Sequence, residues 1–178
     1  SFSAAAHSRE RGGGVAILHR DTIAASKLTF GLEPTTFEIT GTALTISHSS
    51  NVIIVVVYRS GSDKITDLFY VEFTSVLETL ATKMCPIVVT GDLNFPLIYA
   101  NDPHTLHLLE LLNSFGLRQC VVGPTQLSGD TLDVIITRVD LPMPIVDVRL
   151  PGEVCDHSLI HYQLPLSRPP AKFVTVNA

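Results

Sequence analysis

The sequence predicts one domain of mixed α and β structure, with one or two sheets faced by helices. Three observations lead there. Short β-branched runs recur along the chain, the strongest being Val52 to Val57. Two longer stretches change to a helical period, and they sit between strands without alternating with every one. No internal repeat or second compositional block divides the 178 residues, a length that suits a single core.

In order, residues 1–11 are small and polar and read as a lead-in, closed by a glycine turn at 11–14. Val15 to His19 is a short strand. Thr36 to Ile46 alternates enough for another, and Asn51 to Tyr58 is a third, nearly continuous in apolar residues as strands buried on both faces are. From Lys64 to Lys83 the residues Ile65, Leu68, Phe69, Phe73, Val76, Leu77 and Leu80 follow helical spacing, with Asp63 as the expected cap. Ile87 to Thr90 returns to strand. Asp102-Pro103 opens a second helix, whose buried face is expected to carry Leu106, Leu109, Leu112 and Phe115 and whose end is Gly116. Turns at Gly123-Pro124 and Ser128-Gly129-Asp130 precede a strand from Leu132 to Thr137. Ser158 to Leu164 is the last strand, and the proline-rich tail from Pro165 reads as a linker.

Composition narrows the function. Hydrophobic residues make up 46% of the chain and charged residues 16%, below the usual quarter. Apolar runs are far shorter than a membrane span. The net charge of −5 argues against a domain that grips nucleic acid by charge alone, but not against an enzyme acting on phosphodiesters with the help of a cation. Cys85, Cys120 and Cys155 are odd in number and lack paired spacing, which fits a reducing, intracellular compartment (nucleus or cytoplasm) and gives no structural zinc site.

Three acidic positions stand at strand ends. In IVVTGDLNFPL, residues 87–97, Asp92 and Asn94 are two apart, so on an extended path they face one way while Leu93 packs the other. A carboxylate can bind a hard cation or activate water, and the amide beside it can hold a phosphate oxygen. A turn explains the same residues, since Gly, Asp, Asn and Pro all favour one. Asp133 interrupts an apolar strand, where an unpaired charge is costly unless it lies at an edge facing solvent. Asp156-His157 enters the final strand from a loop. His157 and His161 have HxxxH spacing, yet on a strand their Cα atoms stand about 13 Å apart, too far to share zinc. His104 and His107 are expected on a solvated helix face.

Taken together, GDLN at 91–94, TLD at 131–133 and DHS at 156–158 resemble the endonuclease/exonuclease/phosphatase superfamily. RGGGVAILHR at 11–20, VVVYR at 55–59, LLNSFGL at 111–117 and GPTQLSGDTLDVIITR at 123–138 look like the apurinic-endonuclease-like domain of non-LTR (LINE-type) retrotransposons. The resemblance runs from about Arg11 to about Leu164, which puts the domain at 12–165 and a tail at 166–178. It implies an α+β fold, a four-layer α/β/β/α sandwich, here missing its N-terminal strands. It also implies Mg²⁺-dependent (or Mn²⁺-dependent) nicking of target DNA, with a reverse transcriptase domain in the same polyprotein and no membrane association.

On that resemblance Asp92 would orient or deprotonate the attacking water and Asn94 would bind the scissile phosphate. His157 would contact a phosphate oxygen, with Asp133 holding its ring. Asp156 would lie at the metal, Tyr58 would donate its hydroxyl to the phosphate, and Arg59 is a further phosphate candidate for which a structural role is an equal alternative. Two departures stand out. Cys155 replaces the serine usual before the Asp-His pair, and the family's principal metal-binding Glu belongs upstream of the segment at 11–20, where Glu10 is too close to the glycine turn to replace it. The expectation is therefore an endonuclease domain impaired in this form. The alternatives are a non-catalytic retroelement remnant and a phosphatase of the same superfamily.

Overall fold

The computed structural model describes residues 2–7, 14–47, 50–149 and 155–164. The strands are β1 (Phe2–His7), β2 (Val15–Arg20), β3 (Ala24–Lys27), β4 (Glu38–Ser47), β5 (Ser50–Tyr58), β6 (Ile87–Asp92), β7 (Leu117–Gln119), β8 (Asp133–Arg138), β9 (Ile145–Arg149) and β10 (Leu159–Gln163). The helices are α1 (Asp67–Ala81), between β5 and β6, and α2 (Pro103–Ser114), between β6 and β7. No helix among the described residues is long and apolar enough to cross a membrane.

Six strands form a mixed central sheet in the order β3-β4-β5-β6-β8-β7, parallel at β5-β6 and antiparallel elsewhere. The parallel pair needs a crossover, and α1 supplies it. Alternation along the strands separates two faces. Val55, Val57, Ile87, Val89, Val134 and Ile136 join Phe69, Phe73, Leu77, Leu108 and Leu112 of the helices in the larger core. Each such side chain contributes about 1.5–3 kcal/mol when fully buried. Val88 and Ile135 point the other way, where Val146, Val148, Ile160 and Tyr162 of the antiparallel β9-β10 hairpin cover them. A second hairpin, β1-β2, lies against β4 and β5. The architecture among the described residues is thus α+β, with two helices on one face of a mixed sheet and separate hairpins in place of a second complete sheet.

Several expectations need correction. Part of the lead-in is strand: Phe2–His7 pairs with Val15–Arg20. The short strands β3 and β7 carry too few apolar residues in alternation to stand out in sequence, and β9, with Val146 and Val148 alternating, is only five residues long. Helix α1 starts at Asp67 with Thr66 as a backbone cap, later than the period suggests. The reason is local: the Asp63 carbonyl accepts a hydrogen bond from Arg59, so residues 60–66 form a loop. In α2, Asp102 is the cap as expected, its side chain accepting from the Thr105 N–H at 2.8 Å. The buried stripe, however, is Thr105, Leu108 and Leu112, while Leu106 and Leu109 are exposed. Leucines at 106, 108, 109, 111 and 112 allow more than one register, and packing selects between them. Gly116 takes the left-handed conformation expected of it, with φ +66°. Glu10, the glycine turn at 11–13 and the tail at 166–178 lie outside the described residues.

Candidate active and metal site

Four neighbouring strands reach one end of the sheet in register and set four side chains in a row. Glu38 pairs with Tyr58, Tyr58 with Asp92, and Asp92 with Asp133. Residues opposite each other in a sheet share a face. Here it is the face away from the helices, because the adjoining Ile39, Val57, Leu93 and Val134 all point into the helical core.

Glycine makes the close approach of β5 and β6 possible. Gly91 has φ +131°, and a Cβ there would fall on the Val57 carbonyl oxygen. Three residues on, Asn94 adopts φ +52°, a left-handed conformation that Asn tolerates better than most residues. That turn brings its backbone N–H to Asp92 Oδ1 at 2.8 Å. Its side-chain Nδ2 donates to Asp92 Oδ2 at 2.9 Å and to the Arg59 carbonyl at 2.8 Å. GDLN is therefore a turn, and the turn fixes the Asp92 carboxylate.

The 123–133 segment delivers the histidine. Thr125, fully buried, accepts the N–H groups of Leu132 and Asp133 on its hydroxyl at 3.0 and 3.2 Å. Its carbonyl accepts from Ser158 N–H at 2.8 Å, Gln126 bridges to His157, and Leu127 N–H donates to the Asp156 carbonyl at 3.0 Å. His157 Nδ1 consequently stands 3.1 Å from Asp133 Oδ2, and Nε2 stands 3.8 Å from Asp92 Oδ2.

Electrostatics follow from this bracket. Burial alone would lower the pKa of His157, but the hydrogen bond and charge of Asp133, with the charges of Asp92 and Asp156, outweigh it and raise the value above 6.5. Asp92 is raised above 3.8, first by burial and then by the like charge of Asp133, against the opposing hydrogen bonds of Asn94 and the charge of His157. Two carboxylates held together in a half-buried site call for a compensating positive charge.

Ligand atoms of Asp92, Asp133 and His157 all lie within 4.8 Å of one another, and this is the group among the described residues able to hold a metal ion. Two carboxylate oxygens and one imidazole nitrogen fit a divalent cation that completes its shell with water. The nitrogen suits Mn²⁺ better than Mg²⁺, which favours oxygen ligands.

The structure thus brings together Asp92, Asn94, Asp133 and His157, with Tyr58 beside Asp92 in the row. Asp156 is exposed and lies outside the three-residue group; its carboxylate acts on His157 through charge. Arg59 faces inward, 3% exposed, with its guanidinium on backbone carbonyls. His161 pairs with Asp147 on the β9-β10 hairpin. His104 and His107 are exposed, as expected of a solvated face, but both also meet Tyr70: the His107 ring stacks on it at 3.9 Å, and His104 Nδ1 lies 3.1 Å from its hydroxyl. Sequence reading missed Thr125, although it lies inside a quoted motif, and Glu38, a strand-edge acid whose Oε2 is buried with no hydrogen-bond partner.

No protein-family model matches this sequence, and no curated protein matches it. Solved structures do. An endonuclease/exonuclease/phosphatase family protein from Leptotrichia buccalis aligns over 93% of this chain and 72% of its own, at 14% identity and TM-score 0.64. The catalytic domain of human nocturnin, solved with a bound sulfate anion, aligns over 91% and 72%, at 14% identity and TM-score 0.57. A mannosyl-6-phosphatase from Bacteroides thetaiotaomicron aligns over 93% and 77%, at 12% identity and TM-score 0.55. At such identities the likeness is one of fold, and the fold is that of the endonuclease/exonuclease/phosphatase proteins.

Proposed function

We propose that the chain is a divalent-cation-dependent phosphodiesterase, and that its substrate is DNA, nicked as by the endonuclease domain of a non-LTR retrotransposon. The observation that carries the reading is His157 bracketed by Asp133 and Asp92. A cation bound by Asp92, Asp133 and His157 would neutralise charge on the phosphoryl group and polarise it. Asp92, fixed by two hydrogen bonds from Asn94, orients the attacking water and takes its proton. With the cation bound His157 would be neutral, its ring held by Asp133 at Nδ1 so that Nε2 faces the cation beside the phosphate. Tyr58, beside Asp92, offers its hydroxyl to the same group.

The DNA and retroelement parts of the reading rest on the ordered motifs from Arg11 to Arg138, as do an intracellular location and a reverse transcriptase partner. The test is nicking of supercoiled plasmid in Mg²⁺ or Mn²⁺. Slow conversion to open circles by this chain, lost in Asp92→Ala, supports it; equal nicking by the variant refutes the role of Asp92. Likeness to a mannosyl-6-phosphatase favours a second reading, a phosphatase acting on small esters. A panel of plasmid, dinucleotide and sugar phosphates separates the two.

A further inference from the structure

Arg59 is a cation that the chemistry above does not use. It follows Tyr58 at the end of β5, where its backbone N–H extends the ladder by donating to the Asp92 carbonyl at 2.9 Å. Its guanidinium spends four of five N–H groups. Nε donates to the Leu93 carbonyl at 2.7 Å, Nη2 to the Asn94 carbonyl at 2.7 Å, and Nη1 to the carbonyls of Ser60 and Asp63 at 3.1 and 2.6 Å. The Phe95 ring, fully buried against Phe69, lies 5.4 Å from its central carbon.

We infer that Arg59 is the positioning residue of the cation site: it ties the loop before α1 to the loop after β6 and so holds Asn94 in the left-handed turn that fixes both carboxylate oxygens of Asp92. This rests on the cation reading above and names a component of it. The geometry is closed on every side. Asn94 returns a hydrogen bond from Nδ2 to the Arg59 carbonyl. Gly61, from the first loop, packs so closely that a Cβ would stand 2.7 Å from Asn94 Oδ1. A planar fork satisfies four carbonyls set at fixed angles; lysine keeps the charge but cannot match the angles.

The experiment compares Mn²⁺ affinity, by calorimetry, and hydrogen exchange at the Asn94 amide in four proteins. Arg59→Lys is expected to stay folded, to bind Mn²⁺ about tenfold more weakly or worse, and to exchange faster at Asn94. Arg59→Ala should recover Mn²⁺ affinity in millimolar guanidinium but not in methylammonium. Glu72→Gln, which disturbs the unrelated anchoring of Thr35 and Thr36, should lower thermal stability and leave Mn²⁺ affinity as in the wild type. Wild-type Mn²⁺ affinity and Asn94 protection in Arg59→Lys would overturn the inference. So would an equal affinity loss in Glu72→Gln, since the effect would then follow global stability. If the wild-type chain binds no Mn²⁺, the cation reading falls by itself and exchange at Asn94 decides the role of Arg59.

Discussion

Asp133 accepts a hydrogen bond at 3.1 Å from the Nδ1 of His157, a residue 24 positions further along the chain. The first opens β8 and the second precedes β10, so the contact joins the central sheet to the entrance of the β9-β10 hairpin. It fixes the ring so that Nε2 faces Asp92. A neutral imidazole offers one N–H, a protonated one offers two, and two carboxylates favour the second.

That preference gives a pH dependence in the metal-free chain. His157 is raised, so the stability it contributes is complete below pH 6.5 and lost as pH climbs through the higher folded value. Asp92 is raised as well; the native state holds its proton more tightly than the unfolded chain, so ionisation above pH 3.8 also costs stability. Both act in the same direction. Thermal melts in EDTA should fall from pH 6 to 8, and the wild-type advantage over His157→Gln should shrink across that window. Mn²⁺ should restore the wild type at the alkaline end by taking the proton's place. Melts that rise with pH in EDTA would contradict this.

Glu38 predicts a gain of stability. The residue is 6% exposed and its Oε2 is buried with no hydrogen-bond partner, which ordinarily costs free energy. Glu38→Gln should raise stability by about 1–2 kcal/mol in chemical denaturation. A loss of that size would mean that the carboxylate has a stabilising partner.

Two glycines should separate folding from the site. Gly91→Ala places a methyl group on the Val57 backbone at φ +131°, where no flexible group can yield, and should cost at least about 4 kcal/mol or prevent folding. Gly61→Ala first meets the Asn94 side chain, with Oδ1 at 2.7 Å. It should melt within a few degrees of wild type but bind Mn²⁺ more weakly, because Asn94 must release Asp92. Unchanged affinity would show that the position of Asn94 does not control the site.

Much of this arrangement is legible in sequence, for reasons that differ by residue. Asp92 and Asn94 stand out because polar residues at the lip of an apolar strand need a use. Asp133 stands out because it interrupts a run that otherwise belongs to the core. His157 stands out only through its neighbour Asp156 and the order of the motifs. Arg59 could be read two ways, as a phosphate ligand next to Tyr58 or as a structural residue, because the carbonyls that hold it come from Leu93, Asn94 and the 60–63 loop. Thr125 was hidden for the same reason, since its partners at 132, 133 and 158 meet only after folding. The strands β3 and β9 and the buried face of α2 were missed where composition permits several registers and neighbours choose one.

The central claim is that Asp92, Asp133 and His157 form one cation site. Paramagnetic broadening of backbone amide signals during a Mn²⁺ titration reads it most directly. The account predicts broadening centred on residues 92, 133 and 157 at low Mn²⁺, abolished by Asp92→Ala in a chain that remains folded. Broadening centred elsewhere, or undiminished in that variant, would contradict it.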